Sequence, residues 1–210
     1  MEERRSDGQL YLLLKADAGQ IPLPTNSVSL VIATPPYIGV RRRRKGDFCT
    51  SDPEEYAALM ARFLTEGTRI VRPYGHILLI LKRPRIRRSR GARLVVFDVL
   101  QKRVLRGCSI RKRTKSETFL THYVDVKDFP WWALPVRLYR SLIDRYSRPG
   151  ETVAHVFSGS GNGGIAALEL ARRPILIDLH YHRQVRRRLD KKTESMRRTK
   201  VFPSSSHLSA

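Results

Sequence analysis

An α/β architecture, with a mostly parallel sheet flanked by helices, is expected from three features of this sequence. Asp52–Arg72 carries apolar residues at three- and four-residue steps and is followed by the unbroken apolar run His76–Leu81, a helix leading into a strand covered on both faces. Near the other end, the apolar run Thr152–Phe157 leads into SGSGNGG, a second helical stretch and a further strand, Ile175–Asp178. Strand and helix therefore alternate, as they do in α/β proteins. The length, 210 residues, is room for one compact domain with a modest insertion.

Taken in order, Leu10–Leu14 and Val28–Ala33 are expected strands on either side of a Gly/Pro/Asn-rich loop. The second runs straight into Thr34-Pro35-Pro36-Tyr37. Neither proline can donate to a ladder, so the strand stops and the tetrapeptide becomes a stiff loop at its carboxyl end, the edge where open α/β sheets bind ligands. In the first helix Asp52 is the expected N-cap and Pro53 the first residue. Tyr56, Leu59, Met60, Phe63, Leu64, Gly67 and Ile70 form its apolar side, and Pro73-Tyr74-Gly75 ends it. Lys82–Lys115 holds 14 Lys/Arg and a single acid, Asp98, around the apolar island Leu94–Leu100. Pro135–Tyr146 is a second amphipathic helix, Ser147–Gly150 a turn, and Ile165–Ala171 a third helix. The expected domain spans 1–189 with a basic insertion at about 82–128, and 190–210 reads as a basic, Ser-rich, disordered tail.

Charge narrows the class of partner. Lys and Arg number 41 against 19 Asp and Glu, a formal net of +22, far beyond what solubility requires, so a polyanion is expected and nucleic acid first of all. No apolar run approaches the roughly 20 residues of a membrane span, and MEERRSDGQL lacks the apolar stretch of a signal peptide. Cys49 and Cys108 lie far apart and outside any C-x-x-C, which fits neither a disulfide framework nor a zinc knuckle. An intracellular protein without a metal centre is expected, and His180 and His182 read as packed or solvent-facing.

Phe157-Ser158-Gly159-Ser160-Gly161-Asn162-Gly163-Gly164 follows a strand and opens a helix, so backbone can approach a ligand closely beneath a positive helix end. Asp178 closes the next strand, where a carboxylate can accept hydrogen bonds from ribose hydroxyls. No Gly-Lys-Ser/Thr follows, which disfavours an NTPase, and no second mononucleotide half follows, which disfavours a dehydrogenase.

The pairing of this loop with Thr34-Pro35-Pro36-Tyr37, in this order, resembles the β class of DNA amino-methyltransferases, enzymes that use S-adenosylmethionine to methylate N4 of cytosine or N6 of adenine. ADAGQIPLPTNSVSLVIATPPY, TRIVRPYGHILLI and LPVRLYRSLIDRYSRPGETVAHVFSGSGNGGIAALELARRPILIDL carry the resemblance over Leu10–Leu81 and Phe129–Leu189. It implies a Rossmann-like methyltransferase fold, S-adenosylmethionine as cofactor and double-stranded DNA as partner in a prokaryotic or phage-infected cell; no membrane is implied, and a homodimer stays open. The Thr34 hydroxyl and Pro35 carbonyl would accept the target amine's hydrogens, with Pro36 stiffening the loop and Tyr37 stacking on a flipped base. Asp17, Pro135, Phe157, Gly159, Ser160, Gly161, Asn162 and Asp178 would form the cofactor site. The chain departs from the family's Asp-Pro-Phe at His155-Val156-Phe157 and from its Gly-Ser-Gly-Thr at Asn162, and lacks the histidine common upstream of the Pro-x-x-Leu helix.

Arg41, Arg42, Arg43, Arg44 and Lys45 begin just after the tetrapeptide, and Arg83, Arg85, Arg87, Arg88, Arg111, Lys112 and Arg113 occupy the basic middle. Guanidinium forks suit phosphate, and short basic segments hold a backbone while reading few base edges, so modest sequence specificity is expected. In the class that the chain resembles, a hydroxyl residue at the first tetrapeptide position goes with cytosine N4 and a carboxylate or amide with adenine N6, so the resemblance implies cytosine N4 for Thr34. The rival readings are adenine N6 as target, RNA as substrate, and a catalytically inert nucleic-acid-binding protein on the same fold.

Overall fold

The structure, a computed structural model, describes residues 10–36, 52–82, 94–100, 103–104, 133–180 and 182–198. Its strands are β1 (Leu12–Lys15), β2 (Val28–Ala33), β3 (Val71–Lys82), β4 (Leu94–Asp98), β5 (Arg103–Val104), β6 (Thr152–Val156) and β7 (Arg173–Asp178). Its helices are α1 (Pro53–Ile70), α2 (Val136–Tyr146), α3 (Asn162–Glu169) and α4 (His182–Arg198). The strands form a seven-stranded sheet in the order β1-β7-β6-β2-β3-β4-β5. Pairing is parallel from β1 through β3 and antiparallel at β3–β4 and β4–β5. The expected mostly parallel sheet is therefore what the chain builds, and the apolar island inside the basic stretch supplies one of its antiparallel strands.

Side-chain alternation divides the sheet into two apolar faces. Val31, Ala33, Ile77, Ala154, Val156, Ile175 and Ile177 pack beneath α1 through Phe63 and Ile70. Leu30, Ile32, Leu78, Ile80 and Val153 pack beneath α2 and α3 through Leu138, Leu142, Ile143, Ala166 and Ala167. Fully burying a side chain such as Phe63 contributes about 1.5–3 kcal/mol. Helix α1 starts where the residues require: the Asp52 carboxylate accepts from the Glu54 N–H at 2.9 Å, Pro53 follows, and Glu54 and Glu55 face the positive end of the helix dipole.

Element ends shift by a few residues, α3 spanning Asn162–Glu169 rather than Ile165–Ala171 and β1 Leu12–Lys15 rather than Leu10–Leu14, and two elements differ more deeply from expectation. Helix α1 hands over directly to β3 at Val71, and Pro73-Tyr74-Gly75 lies inside the strand as a bulge between the Val28↔Val71 and Leu30↔His76 pairs. Tyr74, fully exposed with φ 64°, takes the left-handed conformation that lets the extra residues loop out. The chain also stays ordered beyond residue 190, where a tail was expected, as α4 through Arg198. Val185, Leu189 and Met196 bury against Leu13, Leu168 and Leu176, an apolar seam that the surrounding arginines and lysines conceal in the composition. Residues 199–210 lie outside the described residues.

Candidate active site

Strands β2 and β6 are neighbours, yet α1 carries the chain from β2 outward to β3 while α3 carries it from β6 the other way to β7. Strand order reverses between them, and in open α/β sheets the carboxyl side of that point is the ligand crevice. The two segments that the sequence singles out meet there. The Thr34 N–H donates to the Val156 carbonyl at 3.3 Å, and the Thr34 hydroxyl donates to the Phe157 carbonyl at 2.9 Å. Thr34 is half-buried and Pro35 buried; Tyr37 lies outside the described residues. Phe157 turns its carbonyl toward Thr34 from a left-handed conformation, φ 57°, which disfavours a bulky residue by about 1–2 kcal/mol. Edge-to-face packing of its ring on Phe63, centroids 5.5 Å apart, holds it there.

The glycines of the loop divide into two kinds. A Cβ on Gly159 would meet only the Phe157 carbonyl, at 4.0 Å, so this backbone faces open space. A Cβ on Gly161, Gly163 or Gly164 would lie 2.8 Å from Val185, 2.4 Å from His155 Nδ1 and 2.8 Å from Leu176, respectively. Room for a ligand, expected of the loop as a whole, is thus provided at Gly159, while the others make room for α4, β6 and β7. The Asp178 carboxylate ties the loop down, accepting from the Gly159 N–H at 2.7 Å and from the His180 N–H at 2.9 Å. Burial pushes this carboxyl's pKa up, against the pull of those two donors. Ser160 is buried, and the buried Ser158 Oγ has no hydrogen-bond partner.

Asn162 and Arg188 extend the support. Asn162 Nδ2 donates to the Leu134 carbonyl at 2.7 Å, beside the buried Pro135 that caps α2, and its Oδ1 accepts from Arg188 at 2.8 Å. Arg188 also donates to the Ser160 carbonyl, and burial lowers its pKa to about 10. Sequence reasoning missed Arg188, because nothing local distinguishes it from the other arginines of α4. Asp17 is exposed in the turn after β1, its carboxylate accepting from the Gly19 N–H at 2.6 Å, the geometry of an Asx turn. Register pairs Lys15 with Asp178, so this turn leaves from the same edge of the sheet.

His155 was also missed as a site residue. It lies on the α2/α3 face of β6, its ring 4.8 Å from that of Tyr139 and its Nε2 3.4 Å from Thr34 Oγ1. A polar residue amid the inward apolar residues of TVAHV was the available signal. Burial pushes its pKa down to about 3 from 6.5. In the unfolded chain the imidazole takes up a proton below pH 6.5 that the folded protein refuses. Its contribution is therefore complete above that pH and is lost as pH falls toward about 3, at about 1.4 kcal/mol per pH unit. Chemical denaturation from pH 7 to 4 should show wild type losing stability more steeply than His155→Gln; equal slopes would contradict the buried neutral state.

Arg41–Arg44, Lys45, Arg83, Arg85, Arg87, Arg88, Arg111, Lys112 and Arg113 lie outside the described residues. Within them, Arg183, Arg187 and Lys191 form an exposed cationic stripe along α4, which starts from the carboxyl end of β7. His182 packs with its Nε2 2.6 Å from the Asp178 carbonyl. Among the described residues, no group of His, Cys, Asp and Glu could hold a metal ion, and no helix is long and apolar enough to cross a membrane.

Comparison with known proteins adds two findings. Residues 111–185 match a family model described as DNA methylase. Among solved structures, the chain is similar to the PvuII DNA methyltransferase (cytosine-N4-specific), with TM-score 0.59 at 15% identity, covering 90% of this chain and 94% of that one. It is also similar to TTHA0409, a putative DNA modification methylase from Thermus thermophilus, with TM-score 0.57 at 18% identity over 87% and 95%. The M1.HpyAVI–SAM complex gives TM-score 0.55 at 16% identity over 86% and 99%. At these identities the likeness is one of fold. No curated protein matches the sequence.

Proposed function

We propose that this chain acts as a DNA amino-methyltransferase, transferring the methyl group of S-adenosylmethionine to an exocyclic amine of a DNA base, with N4 of cytosine as the favoured atom. The observation that carries this reading is the direct hydrogen bond between Thr34 of the tetrapeptide and Phe157 of the glycine loop. It brings the segment proposed for the base and the segment proposed for the cofactor to one point of the sheet edge.

The residues fit such a cofactor. Gly159 leaves open the space that a side chain would fill, Ser158 Oγ is a buried polar atom without a partner, and the Asp178 carboxylate keeps acceptor capacity beyond its two backbone bonds. Gly159, Ser160, Gly161 and Asn162 would line the cofactor, Phe157 would flank it, and Asp178 would accept from the ribose; Asp17 and Pro135 complete the rim. S-adenosylmethionine, when bound, would supply an electrophilic methyl to the amine, with S-adenosylhomocysteine as the leaving group and the amine's proton passing to water.

The protein's part is to ready the amine. An exocyclic amine is a poor nucleophile because its lone pair is delocalised into the ring. Acceptors that draw its hydrogens out of the ring plane localise that pair, and these are the Thr34 Oγ1 and the Pro35 carbonyl, with Pro36 fixing the backbone and Tyr37 stacking on the flipped base. A hydroxyl at position 34 is neutral and short, which suits a cytosine amine. Phosphates would be held by Arg41–Lys45 and the basic middle, with the exposed Arg183, Arg187 and Lys191 of α4 adding charge. Such contacts read few base edges, so specificity is modest.

Incubation with S-adenosylmethionine and duplex DNA, digestion to nucleosides and mass spectrometry should yield N4-methylcytosine. N6-methyladenine alone would overturn the base assignment. Tight DNA binding with no methylated nucleoside would overturn the enzyme reading in favour of an inert binding protein.

A further inference from the structure

Beneath Thr34 lies a buried imidazole that the transfer chemistry just described does not use, and its hydrogen bonds can be assigned one by one. A hydroxyl has one hydrogen to give and two lone pairs. Thr34 gives its hydrogen to the Phe157 carbonyl at 2.9 Å, the shorter of its two polar side-chain contacts among the described residues. Its contact with His155 Nε2, at 3.4 Å, must then run the other way, from N–H to Oγ1. The far ring nitrogen agrees: His155 Nδ1 is buried with no partner, and an orphan acceptor is tolerated in a protein interior more readily than an orphan N–H. The proton therefore sits on Nε2, facing Thr34.

We propose that His155 is a positioning residue that fixes Thr34 as a pure acceptor: with the Phe157 carbonyl taking the hydroxyl hydrogen and the His155 Nε2–H occupying one lone pair, only the second lone pair is left for the target amine. This rests on the methyltransferase reading and adds to it the device that sets the polarity of the Thr34 hydroxyl. A freely rotating hydroxyl could point its hydrogen at the amine nitrogen and engage the lone pair that must attack. Here that orientation would break the hydrogen bond to the Phe157 carbonyl, and the His155 N–H closes the remaining direction to the hydroxyl hydrogen.

The surroundings are built to hold the ring. It is stacked at 4.8 Å against Tyr139, and Gly163 abuts it so closely that a Cβ there would lie 2.4 Å from Nδ1. Complete burial keeps the imidazole neutral at working pH, with a pKa of about 3, so only one ring nitrogen carries a hydrogen, and the contacts of the two nitrogens assign it to Nε2.

Two measurements on the full-length protein test this. In nitrogen-15 NMR of histidine-labelled protein, the His155 resonances, identified by their loss in His155→Gln, should show the Nε2–H tautomer at pH 7, and Thr34→Val should shift Nε2 more than Nδ1. An Nδ1–H tautomer, or an Nε2 unmoved by Thr34→Val, would overturn the proposal whether or not the protein methylates DNA. In single-turnover transfer from labelled S-adenosylmethionine to DNA, His155→Leu should fall by about 10–100-fold with cofactor and DNA affinities within about twofold, the scale of a misplaced reacting group. His155→Gln, whose amide N–H reaches the Nε2 position, should recover most of the rate, whereas His155→Asn, whose amide stops near Nδ1, should not. Equal losses in Gln and Leu variants of unchanged melting temperature would overturn it. Absence of transfer by wild type would count against the methyltransferase reading itself, leaving the tautomer measurement to decide the hydrogen-bond assignment.

Discussion

Thr34→Ala should lower the single-turnover rate of methyl transfer by about 10²–10³-fold while leaving the affinities for S-adenosylmethionine and DNA within about twofold. The hydroxyl interacts with the amine most strongly as the nitrogen pyramidalises, so its loss raises the barrier rather than weakening the ground-state complex. Thr34 is only half-buried, and its backbone N–H bond to Val156 survives the change. Removal of the hydroxyl does leave the Phe157 carbonyl and the His155 Nε2 without their partner, so stability should fall by about 1–3 kcal/mol. Thr34→Ser restores both contacts and should recover the rate to within about tenfold, since it returns the oxygen but not the methyl that restricts its rotamer. Full activity in the alanine variant would remove Thr34 from the chemistry and leave the Pro35 carbonyl as the acceptor to examine.

The parts that could be read from sequence are those where a local pattern has a single physical solution. Val28–Ala33 is apolar throughout but for Ser29 and ends in two prolines after Thr34; its strand has the expected bounds, and Thr34 follows it at the sheet's carboxyl edge. Asp52-Pro53 starts α1 by chemistry confined to one turn. Where a role depends on a partner far along the chain, the local reading was incomplete. The G-x-G-x-x-G spacing reads as space for a ligand, but Gly161, Gly163 and Gly164 are small because Val185, His155 and Leu176 occupy that space. Nothing within the loop names those residues. In α4 the spacing of Val185, Leu189 and Met196 is helical, yet a segment dense in Arg and Lys reads as a tail unless the seam is weighed apart from its composition.

This chain gives up stability at the carboxyl edge of its sheet. Phe157 occupies a left-handed conformation, His155 and Ser158 each bury a polar atom without a partner, and Asp178 buries a carboxyl whose pKa is raised. All four lie within one stretch of the sheet edge. Left-handed residues also occur in turns and a bulge elsewhere, at Asn26, Tyr74 and Ala171, but at this edge strain, orphaned polar atoms and a buried carboxyl coincide, as expected where a site is shaped for a ligand.

Asp178 gives the second large effect, and it separates binding from folding. Asp178→Ala should weaken S-adenosylmethionine binding by about 10–100-fold, the equivalent of about 1.5–3 kcal/mol for hydrogen bonds to a charged group. Two losses combine: the acceptor proposed for the ribose, and the anchor that holds the Gly159 N–H at 2.7 Å in the loop facing the cofactor. Stability should move much less, and the sign follows from the titration. Burial raises the folded carboxyl's pKa above its unfolded value, so the group contributes fully to stability only below the unfolded pKa and loses that contribution as pH rises through the folded one. Removing the carboxyl relieves that burial penalty, which offsets the lost bonds to Gly159 and His180. Calorimetric titration with S-adenosylmethionine beside a thermal melt measures both quantities on one preparation. A large drop in affinity with the melting temperature within a few degrees is the expected pair. Unchanged affinity in a folded variant would exclude Asp178 from the cofactor site, and collapse of the melt would reassign it as a structural anchor of the glycine loop.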